Sequence, residues 1–199
     1  MALVERVTNI LLKPRFEWPR IAEESATTAS LYTGYIMLLA ALGPLAMAVK
    51  TGLGIAVASY AISLGVTWLL AMIVDALAPT FGGEKNFIQS LKLTAYSYTA
   101  AWIAAVLQII PYLGGVLSLL GAIYAWYTFY LGVAVMKKCP EEKAVVYTVA
   151  IVVCGLVLTR QMPGGKKVVF ATLEDETDIA NIIVWPKIFA RNRRTVMSA

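Results

Sequence analysis

Asp75 stands four residues before Pro79, at the end of one long apolar run, and Lys92 opens the next run across the loop "APTFGGEKNF". A carboxylate and an ammonium so placed can form an ion pair, and ionisable groups at the ends of apolar runs mark a candidate functional site. Other chemistry is narrowed by what the chain lacks. None of its 199 residues is histidine, which excludes a Ser-His-Asp triad and any His-containing metal site. Cys139 lies in "KKCPEEK" and Cys154 inside an apolar run, a spacing of neither a disulfide framework nor a metal site, so both are expected as free thiols. Gly82-Gly83 has no G-x-x-x-x-G-K-[ST] or G-x-G-x-x-G around it and is expected to make a turn, not to hold a phosphate. No catalytic residue, metal or cofactor is expected, and the chain reads as non-enzymatic.

The elements that position these residues follow from hydrophobicity. With 59% hydrophobic residues, above the roughly 45–50% of soluble domains, the chain is an integral membrane protein. Four apolar runs, Leu31 to Val49, Leu53 to Ala78, Leu93 to Ile110 and Val116 to Met136, are each close to the about 20 residues a spanning helix needs. A fifth, Ala144 to Thr159, is 16 residues long. The predicted fold is an all-α membrane bundle of four to five transmembrane helices with an N-terminal amphipathic helix, followed by an incomplete β fragment. Nine basic residues (Arg6, Lys13, Arg15, Arg20, Lys85, Lys92, Lys137, Lys138, Lys143) gather on one side against Lys50 on the other, which predicts a cytoplasmic N-terminus.

Residues 1–28 hold four basic and four acidic residues and no long apolar core, so no cleavable signal peptide is expected. Leu3, Val7, Ile10 and Leu11 repeat at helical spacing up to Pro14. Such a helix either lies on the bilayer, with Phe16 and Trp18 at headgroup depth, or packs on the other helices; periodicity alone does not separate the two. The loops Pro79 to Lys92 and Lys137 to Lys143 form a candidate contact surface through Pro79, Gly82, Gly83, Lys85, Lys137, Lys138 and Lys143. Asp75, near Lys85 and Lys92 at the interface, is expected to be solvated, so that Asp75→Ala is tolerated.

Beyond the last apolar run the text changes. Lys167 to Leu173 alternates on a strand period, "EDET" is a turn, and Ile179 to Trp185 is a second β-branched strand before Pro186. Phe170, Trp185, Arg191, Arg193 and Arg194 could contact single-stranded nucleic acid by stacking and charge.

The stretches "LYTGYIMLLAALGP", "DALAPTFGGEKNFIQSLKLTAYSYTAAW", "IIPYLGG" and "YLGVAVMKKCPEEKAVVYT" together resemble the bacterial branch of the Yip family over about residues 3–152. The family's eukaryotic members are five-span proteins linked to Rab GTPases and vesicle traffic, and the resemblance implies no known reaction. Where the bacterial pattern often has proline, before Ala101-Trp102 and after "YLG", this chain has Ala100 and Val133-Ala134, so a bent third or fourth helix is not expected. From Cys154 onward, "GLVLTRQMPGGKKVVFATLEDETDIANIIVWPKIFARNRR" resembles the oligonucleotide-binding barrel of error-prone bacterial C-family DNA polymerases, about three strands of a five-strand barrel.

The predicted organisation is thus an N-terminal cytosolic segment (1–28), a Yip-like membrane domain (29–158) and a partial oligonucleotide-binding-like tail (159–199), read as a fusion. The expected setting is the bacterial inner membrane, and the expected partners are the lipid bilayer and a membrane or peripheral protein; nucleic acid is not expected. The leading function is to organise protein or lipid partners at the cytoplasmic face. The alternatives are a small-solute or ion transporter, suggested by intramembrane Ser59, Ser63, Thr67, Thr94, Ser97, Thr99, Gln108 and Ser118, and a membrane-tethered nucleic-acid binder.

Overall fold

A computed structural model of the chain describes residues 3–161, 169–175 and 178–184, with side chains through residue 155. It divides into two compact units, Met1–Gly155 and Leu156–Ala199.

The first unit is helical. Two short N-terminal helices, α1 (Leu3–Leu12) and α2 (Pro14–Glu23), meet at Lys13, with Pro14 at the first position of α2, where its missing N–H is harmless. Thr27 and Ser30 then cap each other reciprocally and start a long rod, Thr28–Thr51. It contains α3 (Thr28–Leu31), a π-helical turn over Tyr32–Ile36, α4 (Met37–Ala40) and α5 (Leu42–Thr51). Gly52, at φ 84°, breaks the rod where an L side chain would be strained, and α6 (Leu53–Leu77) returns. A 3₁₀ turn over Ala78–Phe81 leads through left-handed Gly82 to Asn86, whose side chain caps α7 (Phe87–Ser97) by accepting from Gln89 N at 3.1 Å. Next come α8 (Thr99–Val106), α9 (Leu113–Lys137) and α10 (Glu141–Gln161).

Three helical rods, Thr28–Thr51, Leu53–Phe81 and Leu113–Lys137, are long and apolar enough to cross a membrane. The third apolar run of the sequence is not one straight span. It is divided at Tyr98 into α7 and α8 and ends in a 3₁₀ turn, Leu107–Ile109. At the division the Thr99 hydroxyl donates to the Tyr96 carbonyl at 2.7 Å and contacts the Tyr35 hydroxyl at 2.6 Å, while Tyr98 N still donates to Thr94 O and Trp102 N to Tyr98 O. Every residue from Ser90 to Ser97 is buried, so α7 is enclosed by protein over this stretch. Hydroxyls inside the bundle mostly close on their own helices, as Ser59 does on Ala56 O, Thr67 on Ser63 O and Thr94 on Ser90 O.

The N-terminal helices do not lie on a surface by themselves. Ile10, Trp18 and Ile21 are at most 1% exposed and belong to the same core as Leu91, Leu93 and Val133. Trp18 Nε1 donates to Thr128 O at 3.1 Å, and its ring occupies the space over Gly132, where a Cβ would come within 2.5 Å of Trp18 Cε2. Of the two placements left open by periodicity, packing on other helices holds, and Trp18 is in the core while Phe16 is exposed.

At the end of α6–α7–α9 carrying the longer loops, hereafter the loop end, α9 stops at Lys138, which is left-handed at φ 51°. Pro140 then receives the N–H groups of Lys143 and Ala144 and starts α10, with Glu141 and Glu142 in the first turn where the helix dipole favours acids. At 21 residues α10 is about 31 Å long, because it begins before the apolar run and continues to Gln161. In the second unit β1 (Val169–Asp175) and β2 (Asp178–Val184) pair antiparallel, with Phe170 opposite Ile183.

Candidate functional site at the loop end

The densest polar arrangement is built around Lys137, whose side chain is fully buried at the last residue of α9. Its ammonium donates to Asp75 Oδ1 at 2.9 Å, to Ser90 Oγ at 2.7 Å and to the Asn86 carbonyl at 3.2 Å. Three donors meet three acceptors, which is the condition under which a buried ammonium is tolerated. Asp75 Oδ1 also accepts from Asn86 N at 2.7 Å and Ser90 Oγ at 3.1 Å. One carboxylate thereby ties α6, the start of α7 and the end of α9 together.

The intervening loop is clamped on the same point. Gly83 N donates to Ala78 O and Glu84 N to Lys137 O, both at 2.8 Å. The Tyr147 hydroxyl of α10 donates to the Val74 carbonyl, and its ring stacks on Phe81 with centroids 4.8 Å apart. Cys139 is buried beside this contact and its thiol donates to Phe81 O at 3.2 Å. Burial pushes that thiol above its ordinary pKa, against a lowering by the Lys143 charge, so the group is held as the less reactive thiol. Cys139 and Cys154 are both free.

Gly83 is the tightest position in the clamp. A Cβ there would lie 3.0 Å from the Lys137 carbonyl oxygen and 3.2 Å from that of Ala78, both backbone atoms with little freedom to withdraw. Gly83→Ala is expected to cost about 1–3 kcal/mol. Thermal unfolding of the detergent-solubilised chain should show it as a Tm lowered by several degrees; an unchanged Tm would mean that the loop is not clamped.

Asp75 and Lys92 are not brought together. Lys92, 2% exposed, donates instead to the Ile21 carbonyl at 2.8 Å and to the Glu24 carbonyl, capping the end of α2. Of the residues assigned to the contact loops, Pro79, Gly82, Lys85, Lys138 and Lys143 are exposed, Gly83 is half-buried, and Lys137 is withdrawn beneath them. Lys138 pairs with Glu84 at 2.8 Å on the surface. Phe170 lies in β1, whereas Trp185, Arg191, Arg193 and Arg194 fall outside the described residues.

A second charge cluster joins the two N-terminal helices to each other and meets the bundle at the Tyr96 ring, and sequence reasoning did not single it out. Arg6 of α1 bonds Glu17 of α2 and Glu24, and lies 5.6 Å from the centre of the Tyr96 ring. Burial acts to lower the Arg6 pKa, but the hydrogen bond and charge of Glu24, with Tyr96 and Glu17, leave it above its ordinary value. Arg6 and Glu17 are 5% and 2% exposed, so each compensates a charge that would otherwise be stranded. The signal available in the sequence was an arginine on the polar side of an amphipathic helix followed by glutamates 11 and 18 residues on, which is too loose to distinguish pairing from solvation.

Among the described residues no group of three or more Cys, Asp or Glu side chains is placed to hold a metal ion. The arrangement at the loop end ties a charged loop to α6, α7 and α9 by hydrogen bonds.

Comparison with known proteins agrees with a membrane bundle. No solved structure matches the chain. Short stretches match curated polymerases: an error-prone DNA polymerase 2 of Rhizobium meliloti is 65% identical over 46 residues, 23% of this chain and 4% of that protein. An error-prone DNA polymerase of Ruegeria pomeroyi is 53% identical over 66 residues, 32% of this chain and 6% of that protein. One of Brucella abortus is 62% identical over 48 residues, 24% and 4% respectively. The chain thus covers only a few per cent of the length of these relatives. The Yip1 domain model, in contrast, matches residues 8–159. The helices apolar enough to span a membrane lie within that match, and the chain belongs to the Yip1 family of membrane proteins.

Proposed function

We propose that the loop end is a contact platform, facing the cytoplasm of a bacterial inner membrane, on which the protein gathers a membrane or peripheral protein partner without catalysing a reaction. The observation that carries this reading is the contrast between a locked base and an open top. Lys137 is buried among Asp75, Ser90 and Asn86, while Glu84, Lys85, Lys138, Glu141, Glu142 and Lys143 stand exposed directly above on the same clamped loops. A rigid surface with mixed charge loses little conformational entropy on binding and selects partners by complementary potential. The positive-inside distribution supports the orientation, with α6, α9 and the Thr28–Thr51 rod crossing and the α7–α8 and α10 segments completing a five-pass arrangement.

Photo-crosslinking in native membranes tests this. A crosslinker replacing Lys85 or Lys143 should yield the same adduct from both positions, absent with the crosslinker at Leu119, which is exposed on the apolar face of α9. Charge reversal at the neighbouring position (Lys85→Glu, probed from 143) should diminish it. No common adduct, or one insensitive to charge reversal, would refute the platform. An impermeant maleimide that labels Lys85→Cys from outside intact cells would refute the orientation.

We assign the polymerase matches to the C-terminal part of the chain, where the sequence resemblance lies; the 66-residue match is longer than the tail and extends into the preceding helical part. A fragment of one barrel leaves strand edges unpaired, so we read it as an appended segment with no nucleic-acid role of its own.

A further inference from the structure

The N-terminal helices leave one face uncovered. Val4, Leu12 and Phe16 are 75%, 73% and 75% exposed, and Lys13 and Arg15 are exposed between them. Among the described residues no carboxylate forms an ion pair with either cation: Glu17 is engaged by Arg6 and Arg20, and Glu24 by Arg6. The turn joining α1 to α2 therefore presents two uncompensated positive charges beside two large apolar side chains.

Its depth makes that combination unusual. The Tyr124 hydroxyl donates to the Leu11 carbonyl at 2.6 Å, and Tyr124 stands 13 residues before Lys137 on α9, about 20 Å below the loop end. From there α2 climbs. Trp18 meets Thr128, and the carbonyls of Ile21 and Ala22 receive Lys92 and Gln89. The α1–α2 turn is thus the deepest point of the hairpin, and it lies near the middle of a helix long and apolar enough to cross a membrane. Exposed cations at such depth are costly unless the bilayer thins, water enters or an anion compensates them. The side chains present supply both halves of one amphiphile: ammonium and guanidinium for a phosphate, and Leu12 and Phe16 for an acyl chain.

We propose that the α1–α2 turn holds an anionic phospholipid, its phosphate between Lys13 and Arg15 and its acyl chain along Leu12 and Phe16, with the headgroup drawn below the level of the loop end. The site is separate from the contact platform and does not depend on it; it rests on α9 crossing the bilayer.

Native mass spectrometry of the full chain, released from micelles doped with equal amounts of phosphatidylglycerol and phosphatidylcholine, tests the proposal. Phosphatidylglycerol should be retained at least fivefold over phosphatidylcholine. The Lys13→Gln/Arg15→Gln variant should bring the ratio to parity, while Lys13→Arg/Arg15→Lys keeps it and Lys50→Gln, at the opposite end of the bundle, leaves it unchanged. Lys13→Gln alone, expected to halve the preference, serves if the double variant does not fold. Parity in the wild type, or a preference that survives removal of both cations, overturns the proposal. Displacement of the lipid by free glycerol phosphate would also overturn it, since the site would then take a soluble anion.

Discussion

Asp75→Ala destabilises the folded protein by about 3 kcal/mol, the lower part of the range for stranding one member of a buried ion pair. The lower part applies because Asp75 retains 20% exposure, through which water can enter and screen the loss. The substitution leaves the Lys137 ammonium, fully buried, with Ser90 Oγ and the Asn86 carbonyl as neutral acceptors, and it removes the acceptor of the Asn86 N–H at the start of α7. This reverses the expectation from sequence that the change is tolerated. That expectation assumed a solvated carboxylate near Lys85 and Lys92, and the structure supplies a different, desolvated partner. The measurement is denaturant unfolding in detergent of Asp75→Ala, Lys137→Met and Asp75→Ala/Lys137→Met. Lys137→Met alone strands a carboxylate and should also destabilise, whereas the double variant, with neither charge left, should recover most of the stability and give a coupling of at least about 1 kcal/mol in the cycle. Additive losses would show that the two groups do not interact.

Trp18→Ala releases the N-terminal hairpin. Trp18 is fully buried, bonds Thr128 O and fills the space that glycine leaves at position 132. Large-to-small changes of this kind cost about 3–5 kcal/mol in cores. Even about 3 kcal/mol raises the population of a detached hairpin roughly 100-fold, since each 1.4 kcal/mol is a factor of ten. The remaining ties to the bundle are the buried Ile10 and Ile21 and the polar contacts of Tyr124, Lys92 and Gln89 with carbonyls of the hairpin; the polar ones gain water on opening and oppose release weakly. Trypsin is the reporter, because Arg6, Arg15 and Arg20, none of them followed by proline, lie in the hairpin. Cleavage within residues 6–20 should accelerate by one to two orders of magnitude, with the Thr28–Lys137 bundle still protected. Uniform acceleration over the whole chain would mean global unfolding instead, and no acceleration would mean that Trp18 does not hold the hairpin.

The sequence by itself determined the class and much of the framework. Three apolar runs became rods near membrane-crossing length because run length and lack of charge are local properties that lipid enforces on the backbone. The breaks at Gly52 and Gly82 were legible for the same reason: glycine marks a left-handed turn from within a few residues. Which charges meet was decided only by tertiary structure. Asp75 finds Lys137, 62 residues away, over the nearer Lys85 and Lys92, and Lys92 turns to the carbonyls ending α2. A spacing of charges in sequence carries no information about which helix ends converge when the helices pack. The same holds for the hairpin, because one apolar stripe suits lipid or protein equally, and only the gap over Gly132 settles that Trp18 goes inward. The contact of the Thr99 hydroxyl with Tyr35, 64 residues away, is likewise announced by no pattern within residues 93–110. Local signals fix what each segment is; long-range packing fixes which desolvated groups must satisfy one another, and at the loop end that second decision makes the site.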